Sequence, residues 1–82
     1  MMMKQAYAPT MKDTMVEVFK TDVQSVDQSI KLICKLSQYI PEIEINFDLE
    51  DCDRILRIKG EHIPVPRVIK LMNNSGYYCE RL

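Results

Sequence analysis

The sequence of 82 residues has no tryptophan, two glycines and one histidine, and it lacks an excess of charge of either sign. Eleven basic and twelve acidic side chains leave a formal net charge of -1. A chain without a strong electrostatic field is not attracted to phosphate backbones or to anionic lipid. We therefore expect no nucleic-acid partner and no membrane partner.

Long apolar runs are also missing from the chain. No stretch approaches the roughly 20 apolar residues of a membrane helix, and the first fifteen residues lack the apolar core of a secretory signal. These absences predict a cytoplasmic protein.

Paired cysteines and clustered histidines are missing as well. Cys34, Cys52 and Cys79 are an odd number without the spacing of a disulfide framework or a zinc site, so reduced thiols are the simpler interpretation. The sequence still leaves a disulfide between two of them open. His62 has no second histidine or cysteine nearby to complete a metal or catalytic site, and we expect it to be an exposed loop residue.

Catalytic motifs are equally scarce. The sequence has no nucleophile beside a base and no glycine-rich phosphate loop, so we do not expect an enzyme. The acidic run 48–53 has no glycine for the sharp turn of a calcium-binding EF-hand and no glutamate at the twelfth position of such a loop. A solvated hairpin tip is the better interpretation of this run.

The composition that remains is globular, because 46% of the residues are hydrophobic. Residues 1–14 are rich in methionine and show no helical or strand period, which predicts a poorly ordered extension. Clustered methionines can also bind soft metals such as cuprous ion. Residues 15–82 are predicted to form a single domain.

The first half of this domain reads as a strand followed by a helix. Val16 and Val18 alternate with Glu17 and Phe19. The side chain of Ser25 or Asp22 is the expected N-cap of the helix. The apolar stripe of the helix consists of Val26, Ile30, Ile33, Leu36 and Ile40, and Pro41 ends the helix.

The second half reads as a hairpin, a helix and a last strand. Residues 42–50 alternate strictly between apolar and polar side chains, and 54–59 resumes the extended pattern with Leu56 and Ile58 on the buried face. Pro64 and Pro66 bracket the start of a second helix. Its apolar stripe is Val65, Val68, Ile69 and Met72, Gly76 follows its end in the left-handed conformation, and residues 77–82 form the last strand.

This order predicts an α+β, ferredoxin-like βαββαβ fold, a four-stranded antiparallel sheet with two helices on one face. The first and third strands then lie in the centre of the sheet. The second strand lies at an edge, which Glu42, Glu44 and Asp48 protect from unwanted pairing.

The order of elements and the loop lengths over Met15–Leu82 resemble the heavy-metal-associated domain, the copper-chaperone module. That family carries Met-x-Cys-x-x-Cys between its first strand and first helix, where this chain has the segment Lys20–Ser25. Asp22 and Ser25 take the two cysteine positions. Gly76 and Tyr77 resemble the loop that flanks the metal in that family. The run 46–53 is similar to small uncharacterised bacterial proteins of the same superfamily.

The missing thiolates remove the chemistry that the resemblance would imply, because soft thiolates select cuprous ion. Asp22 and Ser25 supply hard oxygen ligands, and both residue types are ordinary helix caps. We therefore expect no metal and no other cofactor. Cys52, in the acidic hairpin tip, is a weak candidate ligand that could approach Asp22 and Tyr77, since these loops share one end of the sheet.

Three functions follow from these observations. The first is a binding module that contacts another protein or a second copy of itself. Its candidate surface residues are Phe19, Ile55 and Tyr78 on the helix-free sheet face, with Val23 and Tyr77 in the loops. The second is residual metal binding through Cys52 with Asp22 or through the methionines of 1–14. The third is a small-molecule sensor in which two sheets enclose a ligand at a dimer interface.

Overall fold

The structure is a computed structural model that describes residues 14–82. It contains six elements: β1 (Met15–Thr21), α1 (Val26–Tyr39), β2 (Glu44–Asp48), β3 (Ile55–Gly60), α2 (Val65–Asn74) and β4 (Cys79–Arg81). The four strands form one antiparallel sheet in the order β2-β3-β1-β4. The predicted ferredoxin-like α+β fold is confirmed, with β1 and β3 central and β2 at an edge. The predicted extension, residues 1–14, lies outside the described residues except for Thr14.

The core fills the space between the two helices and one face of the sheet. In β1 the side chain of Phe19 points into this space and is fully buried, and its cross-strand neighbour Leu56 is buried beside it. The core cluster consists of Phe19, Val23, Leu32, Leu36, Ile40, Leu56, Ile58, Val68, Met72 and Cys79. Burial of these apolar side chains is the main favourable contribution to folding.

The prediction that Phe19 lies exposed on the helix-free face is wrong. Phe19 is 0% exposed, and the outward face of β1 carries Val16, Val18 and Lys20 instead. The acidic Glu17 shares the helix-covered face with Phe19. It lies near the end of that face, where both of its carboxylate oxygens accept hydrogen bonds from Arg81 on β4, at 2.9 and 3.1 Å. A charged residue on the covered face is thus explained by its charged partner on the neighbouring strand.

Two further predicted surface residues are buried. Ile55 does lie on the helix-free face, opposite Asp48 of β2, but only 6% of it is exposed in the central strand β3. Val23, in the loop after β1, is 0% exposed and belongs to the core cluster. Tyr78 is 49% exposed and Tyr77 is half-buried.

The predicted apolar stripe of α1 is only partly right. Leu36 and Ile40 are buried as expected, but Val26 is 64% exposed and Ile30 is 52% exposed. The residues that face the core are Ser29, Leu32 and Leu36. Ser29 occupies a core position without an unsatisfied hydroxyl, because its side chain donates a 2.7 Å hydrogen bond to the backbone oxygen of Val26.

The second helix agrees with its prediction. Val68 and Met72 are buried, Val65 and Ile69 are half-buried, and Gly76 adopts a φ of 93° just after the helix. The backbone N–H of Tyr77 then bonds to the carbonyl oxygen of Met72 at 3.0 Å, so β4 begins two residues later than predicted. Within the described residues, no helix combines the length and apolar character needed to cross a membrane.

Candidate functional site

Three segments converge at the end of the sheet where β1 finishes: the loop 22–25, the hairpin turn 51–54 and the loop before β4. The backbone N–H of Thr21 bonds to the carbonyl oxygen of Asp53 at 3.0 Å, and the Thr21 hydroxyl donates to the carbonyl oxygen of Arg54 at 2.5 Å. The guanidinium of Arg54 in turn donates to the carbonyl oxygen of Gln24 at 3.3 Å. The predicted convergence of these loops is therefore present.

Asp22 and Ser25 have different roles in this end of the molecule. Ser25 is the N-cap of α1, and its hydroxyl oxygen accepts the backbone N–H of Gln28 at 3.2 Å. Gln28 reaches back to accept the N–H of Gln24 at 2.8 Å, a variant of the capping box. Asp22 does not cap the helix, since its Oδ1 accepts the backbone N–H of Tyr78 at 2.8 Å. Both side chains are thus engaged with backbone donors.

Cys52 lies in an exposed acidic turn. The ligand atoms of Asp51, Cys52 and Asp53 lie within 4.8 Å of one another, and Asp51 Oδ1 also accepts the backbone N–H of Asp53 at 2.9 Å. Asp22 is not part of this group within residues 14–82. Three successive residues of one exposed turn offer a cation no enclosed site, and the chemistry of two hard carboxylates beside one thiol favours no particular metal.

The other two cysteines have opposite environments. Cys34 is exposed on the outer side of α1, away from the core-facing residues of that helix. Cys79 is buried on the covered face of β4, where burial raises the pKa of its thiol from 9.0 to about 11. A thiol that resists ionisation is a poor nucleophile and a poor ligand at neutral pH. Neither cysteine has a partner thiol, and both are free.

A groove that the sequence patterns did not predict lies between α1 and the edge strand β2. The groove has a volume of about 420 Å³. Its walls are formed by Val26, Ser29 and Ile33 of α1 and by residues 45–50 of β2 and the following turn. Apolar side chains of both walls are only partly covered: Ile33, Ile45, Phe47 and Leu49.

The groove has an unusual charge distribution along its strand side. Residues 41–53 contain six acidic side chains and no basic one: Glu42, Glu44, Asp48, Glu50, Asp51 and Asp53. Within the described part of the chain, ion pairs engage two of the six, Glu44 with Lys59 at 4.0 Å and Asp53 with Lys20 at 3.8 Å. Of the other four, Asp48 and Glu50 line the groove and give this part of its rim a negative potential.

The sequence did contain a signal for this groove. The apolar residues of α1 cover more of its circumference than a single core-facing stripe requires, since Val26, Ile30 and Ile33 form a second row beside Leu32 and Leu36. An amphipathic helix on a small sheet buries only one of two such rows. The other row stays nearer the surface, and two of its residues, Val26 and Ile33, line the groove.

Two more hollows lie away from these loops. One, at the opposite end of the sheet, has a volume of about 630 Å³ and is lined by Thr14, Pro41, Glu42, Ile43, Glu44, Lys59, Gly60, Glu61 and His62. His62 is exposed there, as predicted. The other lies on the helix-free face around Val16, Asn46 and Arg57. The first of these hollows exposes mainly polar surface, whereas the second resembles the α1–β2 groove in exposing more apolar than polar surface.

Comparison with known proteins yields no protein-family model and no curated protein that matches this chain.

Proposed function

We propose that this chain is a small protein-interaction module that binds a partner polypeptide in the groove between α1 and β2. One observation carries the proposal: Ile33, Ile45, Phe47 and Leu49 form a partly exposed apolar row that continues outward to Val26, which is 64% exposed. Contiguous apolar surface rimmed by polar residues is typical of sites where proteins interact.

The helix-free face of the sheet is a weaker candidate for this role. Two of its three predicted apolar residues are buried, and its centre carries Lys20, Arg57 and Lys59 with Glu44 and Asp48 beside them. Charged residues are depleted at the centres of protein interfaces. The groove instead combines five apolar side chains with two carboxylates, those of Asp48 and Glu50.

The resemblance to the heavy-metal-associated domain fits this proposal at the level of the fold only, because folds of this kind host many functions. Asp22 and Ser25 are both engaged with backbone N–H groups, which supports a structural role for the loop that holds the metal in that family. We therefore place the binding activity in the α1–β2 groove.

Site-specific photo-crosslinking tests the proposal. A photoreactive amino acid replaces Val26 at the groove in one variant and Tyr39 in the other, and both residues are exposed apolar positions of α1. After irradiation of intact native cells, the Val26 variant is expected to give a discrete crosslinked protein that mass spectrometry identifies. The Tyr39 variant controls for random collision. Equal products from both positions, or none from Val26, would show that the groove is not the interaction site.

A further inference from the structure

The outer edge of β2 gives the groove a second binding element. Within residues 14–82 this strand pairs with β3 alone, so the backbone N–H and C=O groups on its outer side have no strand partner. An extended polypeptide can bond to such an edge and become an additional strand of the sheet. Backbone bonds would then supply affinity, and side-chain pockets would supply specificity.

The two faces of β2 specify what such a polypeptide must look like. Ile45 and Phe47 point toward the helices and line the groove, opposite Ile58 and Leu56 of β3. Glu44 and Asp48 point to the helix-free face. Because side chains alternate along a strand, a polypeptide added beside β2 would place every second side chain in the apolar groove and the others beside these two carboxylates.

We infer that the partner segment is an extended strand in which apolar residues alternate with lysine or arginine, added to the free edge of β2. This inference rests on the proposed function and names the class of its partner. The charge of β2 supports it, because its helix-free face carries Glu44 and Asp48 and the strand has no basic residue, and opposite charges on neighbouring strands attract.

A second copy of this chain is a poor occupant of the same edge. Pairing β2 with another β2 in antiparallel orientation about Asn46 would place Glu44 of each copy opposite Asp48 of the other. Like charges directly opposite each other destabilise a strand pair. The acidic edge thus opposes self-association while favouring a basic partner.

Peptide binding to the full chain tests the inference. The probe is a short peptide of alternating valine and lysine, and its matched controls are a peptide of alternating valine and glutamate and a valine–lysine peptide with N-methylated alternate amides. We expect the valine–lysine peptide to bind at least about tenfold more tightly than either control, which corresponds to a difference of about 1.4 kcal/mol or more in binding free energy. In amide hydrogen exchange, β2 is expected to become more protected.

Charge-reversed variants locate the contact. Glu44→Lys combined with Asp48→Lys should reverse the preference, so that the glutamate peptide binds more tightly than the lysine peptide. Asp27→Lys combined with Glu80→Lys makes the same change of net charge at exposed positions of α1 and β4 that do not line the groove, and should leave the preference unchanged. Circular dichroism and urea unfolding confirm that each variant is folded.

Specific outcomes overturn the inference. Equal binding of the lysine and glutamate peptides removes the charge requirement, and equal binding of the N-methylated peptide removes strand addition. A concentration-dependent dimer by light scattering with protection of β2 would assign the edge to a second copy. A crosslinked partner at Val26 without any peptide binding would leave the proposed function standing and reject this partner class.

Discussion

The carboxylate of Asp22 joins the loop after β1 to the start of β4, because its Oδ1 accepts a 2.8 Å hydrogen bond from the backbone N–H of Tyr78, 56 positions further along the chain. Asp22→Ala removes the acceptor and leaves that N–H to water, so we expect the free energy of unfolding to fall by about 1 kcal/mol. Asp22→Asn keeps an oxygen acceptor and should lose less. Urea unfolding measures both, and an alanine variant as stable as the parent would contradict the role assigned to Asp22.

Phe19 is a core residue, so its substitution should affect folding. Phe19→Ala is expected to lower the free energy of unfolding by roughly 3–5 kcal/mol, because a fully buried aromatic side chain is replaced by a cavity. Val16→Ala, at a half-exposed position of the same strand, should cost less than about 1 kcal/mol and serves as the control. Similar losses in the two variants, measured by urea unfolding, would contradict this assignment of the faces of β1.

Alternation along β1 shows that two faces exist, but it does not identify the covered one. Val16 and Val18 appear more apolar than Glu17, Phe19 and Thr21, yet the helices cover the second set. The reason is not visible in the local sequence: Glu17 is neutralised by Arg81, and the Thr21 hydroxyl is satisfied by a carbonyl oxygen of the hairpin. Distant partners thus compensate polar groups on the covered face.

In contrast to the covered face of β1, the order of the six elements was predictable, because it depends on signals in the local sequence. Pro41 after Ile40, Pro66 near the start of α2 and Gly76 after its end each mark a boundary within one turn. The α1–β2 groove was not predictable in the same way. It depends on which of two apolar rows of α1 faces the sheet. The row that does so contains a polar residue, Ser29, and therefore does not stand out as an apolar stripe in the sequence.

Cys79 makes the stability of the fold depend on pH. Its thiol has a pKa of about 11 in the folded chain, against 9.0 without burial, so between these values the unfolded chain releases a proton that the folded chain retains. The contribution of this thiol to the free energy of unfolding is therefore fully present below about pH 9 and is lost as the pH rises toward 11. Urea unfolding across this range should show a steeper decline for the parent than for Cys79→Ala. Parallel curves would contradict burial of an ionisable thiol.

The three cysteine thiols differ in chemical reactivity at neutral pH. Cys34 and Cys52 are exposed and should react with iodoacetamide in the folded protein, whereas Cys79 should react only after unfolding. Peptide mass spectrometry resolves the three sites, and denaturation in urea provides the control in which all three react. Labelling of Cys79 at the rate of Cys34 under native conditions would show that β4 opens readily.

The loop between β1 and α1 offers a test of the resemblance to the heavy-metal-associated domain. Asp22→Cys combined with Ser25→Cys places two thiols at the cysteine positions of that family, beside the N-terminus of α1, where the helix dipole favours thiolates. If the backbone of the loop matches the family, the double variant should bind cuprous ion far more tightly than the parent chain. It should also be less stable, by about 1 kcal/mol for the lost N-cap, with a further loss from the missing bond to Tyr78.

Anaerobic competition titration of the reduced proteins with cuprous ion measures this gain. The reference chain and every variant carry Cys34→Ser and Cys52→Ser, because these two exposed thiols could bind cuprous ion themselves. In this background the single variant Asp22→Cys controls for one added thiol, and tight binding by the double variant is attributable to the new pair. A double variant that remains folded and binds no more tightly than the single variant would show that this loop, although it follows the same strand and opens the same helix, does not hold two side chains in the geometry that a cuprous ion requires.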